Sequence, residues 1–252
     1  MRGVLASLCR HPVKGFTPEA LDRVDLYAGE GVPFDRAYAV EDGPSGFDPA
    51  APAHISKMCF TVLAKIPEVA RVRTRFDETT HTLHATAPNA APIATKLNEE
   101  DGRDVFAAWL TDVLGDAIRG PLRVLPAPGA HRFYDDEAGF ISLINLESVR
   151  ELGRRIDRDI DPLRFRANLY IEGWPPWSEL ELKDEVKLGQ ARARVVKPIP
   201  RCVATHVHPG AGVRDLDVLD GLRRAYGHVL CGVYLRVEAP GALRVGDAIE
   251  AA

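Results

Sequence analysis

The sequence has no long hydrophobic run, since no stretch approaches the roughly 18 uninterrupted apolar residues that a membrane span needs. We also expect no secretory signal, because His11 and Lys14 interrupt the apolar start of the sequence at once. Of its 252 residues, 46% are hydrophobic and 27% are charged, the balance of an ordinary globular protein. We therefore expect a cytoplasmic protein with no membrane association.

A surplus of basic charge is also absent. The chain has 32 Lys and Arg against 36 Asp and Glu, a net charge of −4, and no Lys/Arg run makes a local basic patch, so we expect no nucleic-acid partner. The GxxxxGKS/T, GxGxxG, GxSxG and HExxH motifs are missing as well. Their absence argues against nucleotide-binding, serine-hydrolase and zincin functions.

Cysteine is sparse. The four cysteines lie far apart with no CxxC pair: Cys9, Cys59, Cys202 and Cys231. This spacing argues against a disulfide framework and against a Cys-rich zinc site. A cysteine with a chemical role in this chain acts singly.

Short strand patterns dominate what is present. Alternating or β-branched runs that end at Gly, Pro or Asp predict strands at residues 23–27, 35–40 and 71–76. Helical spacing occurs in three segments: residues 105–114 before Gly115, residues 146–156 after the N-cap Asn145, and residues from about 215 to 226 before Gly227. Strands outnumber helices without regular alternation, which favours a mixed, β-rich α+β fold with a largely antiparallel β-barrel over a doubly wound sheet.

Three further stretches bear on domain organisation. Pro and Ala break the periodicity between about residues 85 and 103, which predicts a boundary there and domains of 1–100 and 101–252. Residues 127–136 form a long loop, and long loops often carry functional sites. Residues 233–237 and 243–245 flank a Pro-Gly turn and predict a hairpin that could close a barrel.

Cys202 is the first candidate site residue. Pro198 and Pro200 fix an extended backbone just before it, and the adjacent Arg201 would favour its thiolate form. A positioned thiolate is a soft ligand that suits a soft metal. The simpler alternative is a buried cysteine that acts as a small apolar residue in a strand.

Two histidines follow this cysteine. On a strand, His206 and His208 share a face, as do Cys202 and His206, so a zinc ion could be held there. A pair of histidines with no third ligand in sight is also typical of an exposed polar edge. The segment therefore offers a single-thiolate site or, alternatively, a Cys/His zinc site.

Basic residues form a second candidate cluster at 164–168. If this segment is a strand, Arg164, Arg166 and Asn168 lie on one face. Two guanidinium groups and an amide suit a phosphate and the polar edges of a heterocycle. A solvent-facing strand would show the same pattern.

A third cluster lies near the N-terminus. Lys14 stands where a strand ends at Gly15, a place where a point charge and free backbone N–H groups can meet a phosphate. Asp35 and Arg36 follow about twenty residues later. An exposed lysine beside a turn is the alternative interpretation.

Taken in this order, the three clusters resemble the MOSC family, which is named for the C-terminal domain of molybdenum-cofactor sulfurase, and especially its amidoxime-reducing component branch. The resemblance runs almost end to end. It is carried by His11-Pro12-Val13-Lys14-Gly15, Asp35-Arg36, Phe140-Ile141-Ser142-Leu143-Ile144-Asn145, Arg164-Phe165-Arg166-Ala167-Asn168, Trp177-Ser178-Glu179-Leu180, and Arg201-Cys202-Val203-Ala204-Thr205 with His208-Pro209 and Gly212. Three positions depart from the family pattern: Gly15 replaces a serine, Ala167 a proline and His208 an acidic residue.

The resemblance implies an N-terminal β-barrel domain, residues 1–100, followed by the MOSC barrel domain, residues 101–252. A pterin-bound molybdenum is expected in the cleft between them, with Cys202 as the catalytic residue and the metal ligand. The residues implied to hold the phosphate and pterin are Lys14, Arg36, Arg164, Arg166, Asn168, Arg201 and Thr205.

The implied activity is a molybdenum-dependent reduction of small N-hydroxylated compounds, such as amidoximes or hydroxylamino bases. The chain shows no flavin, haem or iron–sulfur motif, so we expect a separate reductase to donate the electrons. Its 252 residues are expected to leave no room for the pyridoxal-phosphate domain of the fused sulfurases. Two alternatives remain open. The chain could carry the cofactor without turnover, or it could transfer sulfur through a persulfide on Cys202.

Overall fold

The short alternating runs of the sequence become strands in the computed structural model, which describes residues 1–137 and 140–251. The strands are β1 Arg2–Arg10, β2 Glu19–Leu21, β3 Arg23–Leu26, β4 Tyr38–Asp42, β5 Arg73–Asp77, β6 Thr82–Ala87, β7 Ala90–Lys96, β8 Leu122–Pro126, β9 Ile141–Asn145, β10 Leu169–Glu172, β11 Glu185–Leu188, β12 Ala191–Pro200, β13 Leu230–Ala239, β14 Gly241–Arg244 and β15 Ala248–Ala251. The α-helices are α1 Glu100–Leu114, α2 Leu146–Ile156 and α3 Val218–Tyr226. Short 3-10 helices include Lys57–Cys59, Pro67–Arg71, Pro162–Phe165 and Val203–His206.

Seven strands close into a barrel. Their order is β1, β15, β11, β12, β13, β9 and β10, and β10 pairs again with β1. All these neighbours are antiparallel except β9 and β10, which are parallel. Closure gives both edges of each barrel strand a partner and so removes the exposed edges of an open sheet.

Branched aliphatic side chains fill the barrel. Leu143, Ile171, Leu235 and Ile249 are fully buried there, and the indole of Trp174 packs into the same core. The N-terminal strand β1 pairs with strands from residues 141–251, so both ends of the chain build one sheet. The division near residue 100 stays a prediction.

A second core lies mainly within residues 13–124. Strands β5, β6 and β7 form an antiparallel meander, β4 pairs with β8, and α1 packs on β7 and β8. The rings of Phe16 and Phe106 meet edge to face in this core, with centroids 5.8 Å apart. The β-rich α+β fold class with a barrel and a few helices is thus confirmed.

All three predicted helices form. Asn145 caps α2, since its side chain accepts a hydrogen bond from the N–H of Glu147. Gly115 ends α1 and Gly227 ends α3, each with a positive φ. Helix α3 begins after residue 217 because the carboxylate of Asp217 caps it by accepting from the N–H of Asp220.

The predicted C-terminal hairpin is wrong. Strand β13 pairs with β12 along its length and with β9 at residues 233–235, and it does not pair with β14. Strand β14 instead pairs with β3, with Gly241 opposite Leu26. Two predicted strands also begin late: β4 because Arg36 has a left-handed φ of 51°, and β5 because the 3-10 helix Pro67–Arg71 precedes it.

Within residues 1–137 and 140–251, no helix has both the length and the apolar character needed to cross a membrane.

The close packing of β1 in the barrel leaves no room for a side chain at Gly3. A Cβ atom at this position would overlap the carbonyl oxygen of Glu172 and lie 2.8 Å from Cδ1 of Trp174. We expect Gly3→Ala to lower the free energy of unfolding by about 1–3 kcal/mol, because the strands must move apart. Urea denaturation measures this loss.

The matched control is Ser7→Ala in the same strand, which removes only a contact of the hydroxyl with the Cys9 sulfur. An equal effect of the two substitutions would show that close packing at Gly3 is unimportant.

Candidate functional site

All eight predicted site residues line one open cleft between the barrel and the second core. The cleft has an apolar wall and a wall rich in cations. The predicted residues that line it are Lys14, Arg36, Arg164, Arg166, Asn168, Arg201, Cys202 and Thr205. Their convergence in one place is what a shared site requires.

Cys202 lies where β12 leaves the barrel. The prolines keep the end of β12 extended, as predicted, but residues 203–206 form a 3-10 helix and not a strand. The hydroxyl of Thr205 donates to the carbonyl of Cys202 at 2.9 Å, which fixes the turn after the cysteine. The thiol is half-buried and faces the cleft.

Arg201 binds backbone and not the thiol. Its guanidinium donates to the carbonyls of Cys231 and Phe165, at 2.7 and 3.0 Å, and lies over the Phe165 ring. It therefore joins strand β13 to the segment that carries Arg166.

Lys57 is the cation beside the thiol, with its Nζ 3.3 Å from the Cys202 Sγ. Burial lowers the pKa of Lys57, but the charges of Asp135 and Cys202 outweigh it and raise the pKa above the usual value. Sequence reasoning missed this residue. Lys57 stands 145 positions from Cys202 in a segment with no motif around it, so no local signal marks it.

A carboxylate lies among the lysines of the cleft. Lys14 is buried; its Nζ donates to the Phe133 carbonyl at 2.8 Å and pairs with Asp135, which also lies 3.6 Å from Lys57. Burial raises the pKa of Asp135, but the two lysines outweigh it and hold the pKa well below its usual range. The loop at 127–136 thus supplies an anion to this wall.

Arg36 is held by a fully buried aspartate. Its guanidinium donates to the Asp35 carboxylate and, at 3.0 Å, to the Arg166 carbonyl, while Asp35 also accepts from the His11 N–H at 2.7 Å. Burial raises the pKa of Asp35, but Arg36 and His11 outweigh it and keep the carboxyl ionised. Burial and the nearby arginines lower the pKa of His11 to about 3, so its ring is neutral.

The predicted strand at 164–168 is wrong. Pro162–Phe165 is a 3-10 helix capped by the Asp161 side chain, and Arg166 has a left-handed φ of 51°. Arg164 makes an ion pair with Asp215, in which its Nη2 lies 2.8 and 2.9 Å from the two carboxylate oxygens. Its charge is therefore already neutralised within the protein.

Asn168 is also engaged in the fold. Its Oδ1 accepts from the N–H and hydroxyl of Ser142, and its Nδ2 donates to the Cys9 carbonyl at 3.2 Å. These bonds use the polar groups that the sequence assigned to a ligand, so Asn168 shapes the cleft wall.

Arg166 differs from its neighbours. Its guanidinium makes no hydrogen bond or ion pair with the described part of the chain, residues 1–137 and 140–251. Burial and the like charge of Arg36 lower its pKa to about 10. A negatively charged ligand in the cleft would compensate both effects.

The two histidines do not complete a zinc site. The His206 Nε2 lies 3.1 Å from the Asp217 carboxylate, and His208 is exposed, with its Nδ1 3.0 Å from the Pro209 carbonyl. Among the described residues, no group of three His, Cys, Asp or Glu side chains could hold a metal ion. Any metal at Cys202 would need its other ligands from a cofactor or solvent.

Two family models together match almost the whole chain. Residues 2–117 match the MOSC N-terminal beta barrel domain, and residues 128–250 match the MOSC domain. The chain belongs to the MOSC family.

Curated relatives match parts of it. The chain is 30% identical over 128 residues to mitochondrial amidoxime-reducing component 1 of Mus musculus, covering 46% of this chain and 37% of that protein. It is 30% identical over 162 residues to molybdenum cofactor sulfurase of Drosophila grimshawi, covering 59% of this chain and 20% of that protein. The match thus spans little more than a third of the amidoxime-reducing component.

A solved structure shares the fold of this MOSC chain. The YUAD protein from Bacillus subtilis superposes with a TM-score of 0.50 at 15% identity, covering 99% of this chain and 94% of that one. At this identity the likeness shows the fold alone.

The charge of Lys57 should steer reagents to the thiol. We expect Lys57→Met to lower the rate of Cys202 alkylation by the anion iodoacetate, relative to neutral iodoacetamide, by about fivefold, which corresponds to about 1 kcal/mol for two charges 4 Å apart in water. Mass spectrometry in a Cys59→Ser background measures both rates, because Cys9 and Cys231 are buried. Lys57→Arg keeps the charge and should keep the ratio. An unchanged ratio in Lys57→Met would contradict this assignment.

The buried pair of Asp35 and Arg36 should control stability. We expect Asp35→Asn to cost about 3–5 kcal/mol, because it leaves the largely buried guanidinium of Arg36 without its counter-charge. The folded pKa of Asp35 is depressed, so its stabilisation is present above the unfolded value of about 4 and is lost as the pH falls toward the folded value.

Denaturant unfolding at pH 7 and at acidic pH tests this, with the exposed Asp25→Asn as control. Asp35→Asn should lose part of the acid sensitivity of the wild type, and a cost no greater than that of the control would refute the role of the pair.

Proposed function

We propose that the cleft binds a molybdenum cofactor with the Cys202 thiolate on the metal, and that the chain reduces small N-hydroxylated compounds. The observation that carries this proposal is the convergence of one accessible thiol with a wall of cations. The cations of the cleft are Lys14, Arg36, Lys57, Arg164, Arg166 and Arg201.

The donor set fits such a group. A thiolate is a soft ligand, and Cys202 is the cysteine that lines the cleft. A pterin cofactor brings a phosphate and further sulfur ligands of its own, so a single protein thiolate suffices. Arg166 has no carboxylate partner among the described residues, and the phosphate would give it an anionic partner.

The chain's own residues would bind and orient. Arg36 and Arg166 would hold the phosphate, Asp35 would fix the guanidinium of Arg36, and Lys57 would keep a positive charge beside the metal ligand. When bound, the cofactor supplies two-electron oxygen-atom transfer. A separate reductase would supply the electrons.

The relatives support this proposal in their names, since one is an amidoxime-reducing component and another a molybdenum cofactor sulfurase. Two other functions would use the same cleft: a carrier that binds the cofactor without turnover, and a sulfur-transfer protein with a persulfide on Cys202.

Elemental analysis tests the ligand assignment. For protein made in a host that synthesises the cofactor, we expect stoichiometric molybdenum in the wild type and almost none in Cys202→Ser, because the substitution removes the soft ligand. Cys59→Ser, which changes the other half-buried cysteine, should retain the metal. Equal molybdenum in the wild type and Cys202→Ser would refute the assignment.

Activity then separates the three functions. Reduction of benzamidoxime by the loaded protein with a chemical electron donor supports the reductase. Molybdenum without reduction identifies a carrier, and a Cys202 persulfide in place of molybdenum identifies a sulfur-transfer protein.

A further inference from the structure

A second cavity lies against the main cleft. The two cavities share part of their walls, including Leu63, Arg164 and Arg166. Cys202 and Lys57 line the main cleft only, so the second cavity lies away from the thiol. The second cavity therefore adjoins the main cleft but does not extend the part of it that contains Cys202 and Lys57.

Most of the wall of this cavity is apolar. Phe16, Leu163, Val207 and Pro209 contribute carbon surfaces, and none of the described residues that line the cavity is acidic. Apolar walls with a few convergent charges are typical of small-molecule sites. The cavity therefore suits the hydrophobic body of a small ligand.

Arg73 adds a charge that the second core does not neutralise. It extends from β5, and its guanidinium makes no hydrogen bond or ion pair with residues 1–137 or 140–251. The guanidinium rests against Gly210, in the space that a Cβ atom there would occupy. The absent side chain at 210 thus lets Arg73 pack beside the cavity.

Arg166 is a second cation in the wall of this cavity. It too has no carboxylate partner among the described residues. Arginine forks pair with carboxylates and phosphates in bidentate geometry. Two such groups beside apolar walls call for a ligand that is both hydrophobic and negatively charged.

We propose that this second cavity is a binding site for an aromatic anion, a flat ring system with an attached carboxylate or phosphate. The ring packs on the apolar walls, and the anionic group binds Arg73, which lines this cavity only, and shares Arg166 with the main cleft. The site does not depend on which reaction the main cleft performs. Because Arg166 lines both cavities, an anion bound in one cavity changes the affinity of the other cavity for an anion.

Calorimetric titration of the full chain tests the site with four probes. 2-Naphthoate and adenosine 5′-monophosphate carry the two anionic groups, and 2-naphthamide and adenosine are their neutral counterparts. We expect at least one anion to bind saturably and its neutral counterpart to bind at least tenfold more weakly, as expected for a charged hydrogen bond. Which anion binds distinguishes a carboxylate ligand from a nucleotide.

Arg73→Leu should weaken the binding anion at least tenfold. Arg75→Leu is the matched control, because Arg75 is an exposed arginine two residues along the same strand and does not line the cavity. Ala70→Phe fills the cavity and should abolish binding although both arginines are retained.

The proposal is overturned if neither anion binds saturably, or if binding survives both Arg73→Leu and Ala70→Phe. Arg73 and Ala70 do not line the main cleft. Failure here therefore leaves the molybdenum experiment on Cys202 unaffected, and the two outcomes are distinguishable.

Discussion

The pairing of β1 with β10 is the constraint on which the site depends. The N–H of Cys9 donates to the Asn168 carbonyl at 2.7 Å, and the Asn168 amide donates back to the Cys9 carbonyl, across 159 residues of sequence. These bonds help to close the barrel. They also bring together the two segments that carry cations of the cleft, residues 11–15 after β1 and residues 164–168 before β10. The cleft is therefore a consequence of barrel closure, which fixes the ends of the loops and 3-10 helices that carry its side chains.

Holding like charges together is costly, and the protein offsets most of that cost with dedicated carboxylates. Asp35 neutralises Arg36, Asp135 neutralises Lys14, and Asp215 neutralises Arg164. Buried charges are tolerated when they are paired in this way. Arg166 has no carboxylate partner among the described residues, and burial and the charge of Arg36 lower its pKa. An anion that enters the cleft meets one arginine ready to bind and several cations that must first share or exchange their partners.

The features that the sequence predicts correctly are those that near neighbours determine. Asn145, Gly115 and Gly227 bound their helices through local backbone geometry, and the paired prolines keep β12 extended up to Cys202. The convergence of the eight site residues follows from the ordered family resemblance, since nothing in the spacing alone places Lys14 beside Arg166.

What the sequence misses is decided by packing between distant segments. Lys57 and Arg73 have no recognised motif around them, and Asp135 lies in the predicted loop at 127–136 without a signal that marks its partners. Each acquires its role only when the barrel meets the second core. The error at 164–168 is of a different kind. Asp161 followed by Pro162 is a local signal for a helical turn, and the alternating charges concealed it.

The departures from the family pattern acquire physical reasons in this fold. Gly15 has a φ of 92°, and a Cβ atom there would lie 2.5 Å from the Thr61 carbonyl oxygen, so a serine could not replace it without local rearrangement. Ala167 donates its backbone N–H to the Tyr170 hydroxyl at 3.0 Å, a bond that a proline cannot make. His208 is exposed and is not among the described residues that line the cleft, so solvent screens the effect of its charge on the Cys202 thiol. Two of the departures therefore have reasons in the backbone, and none of the three changes Cys202 or Lys57, whose Sγ and Nζ atoms lie 3.3 Å apart in the cleft.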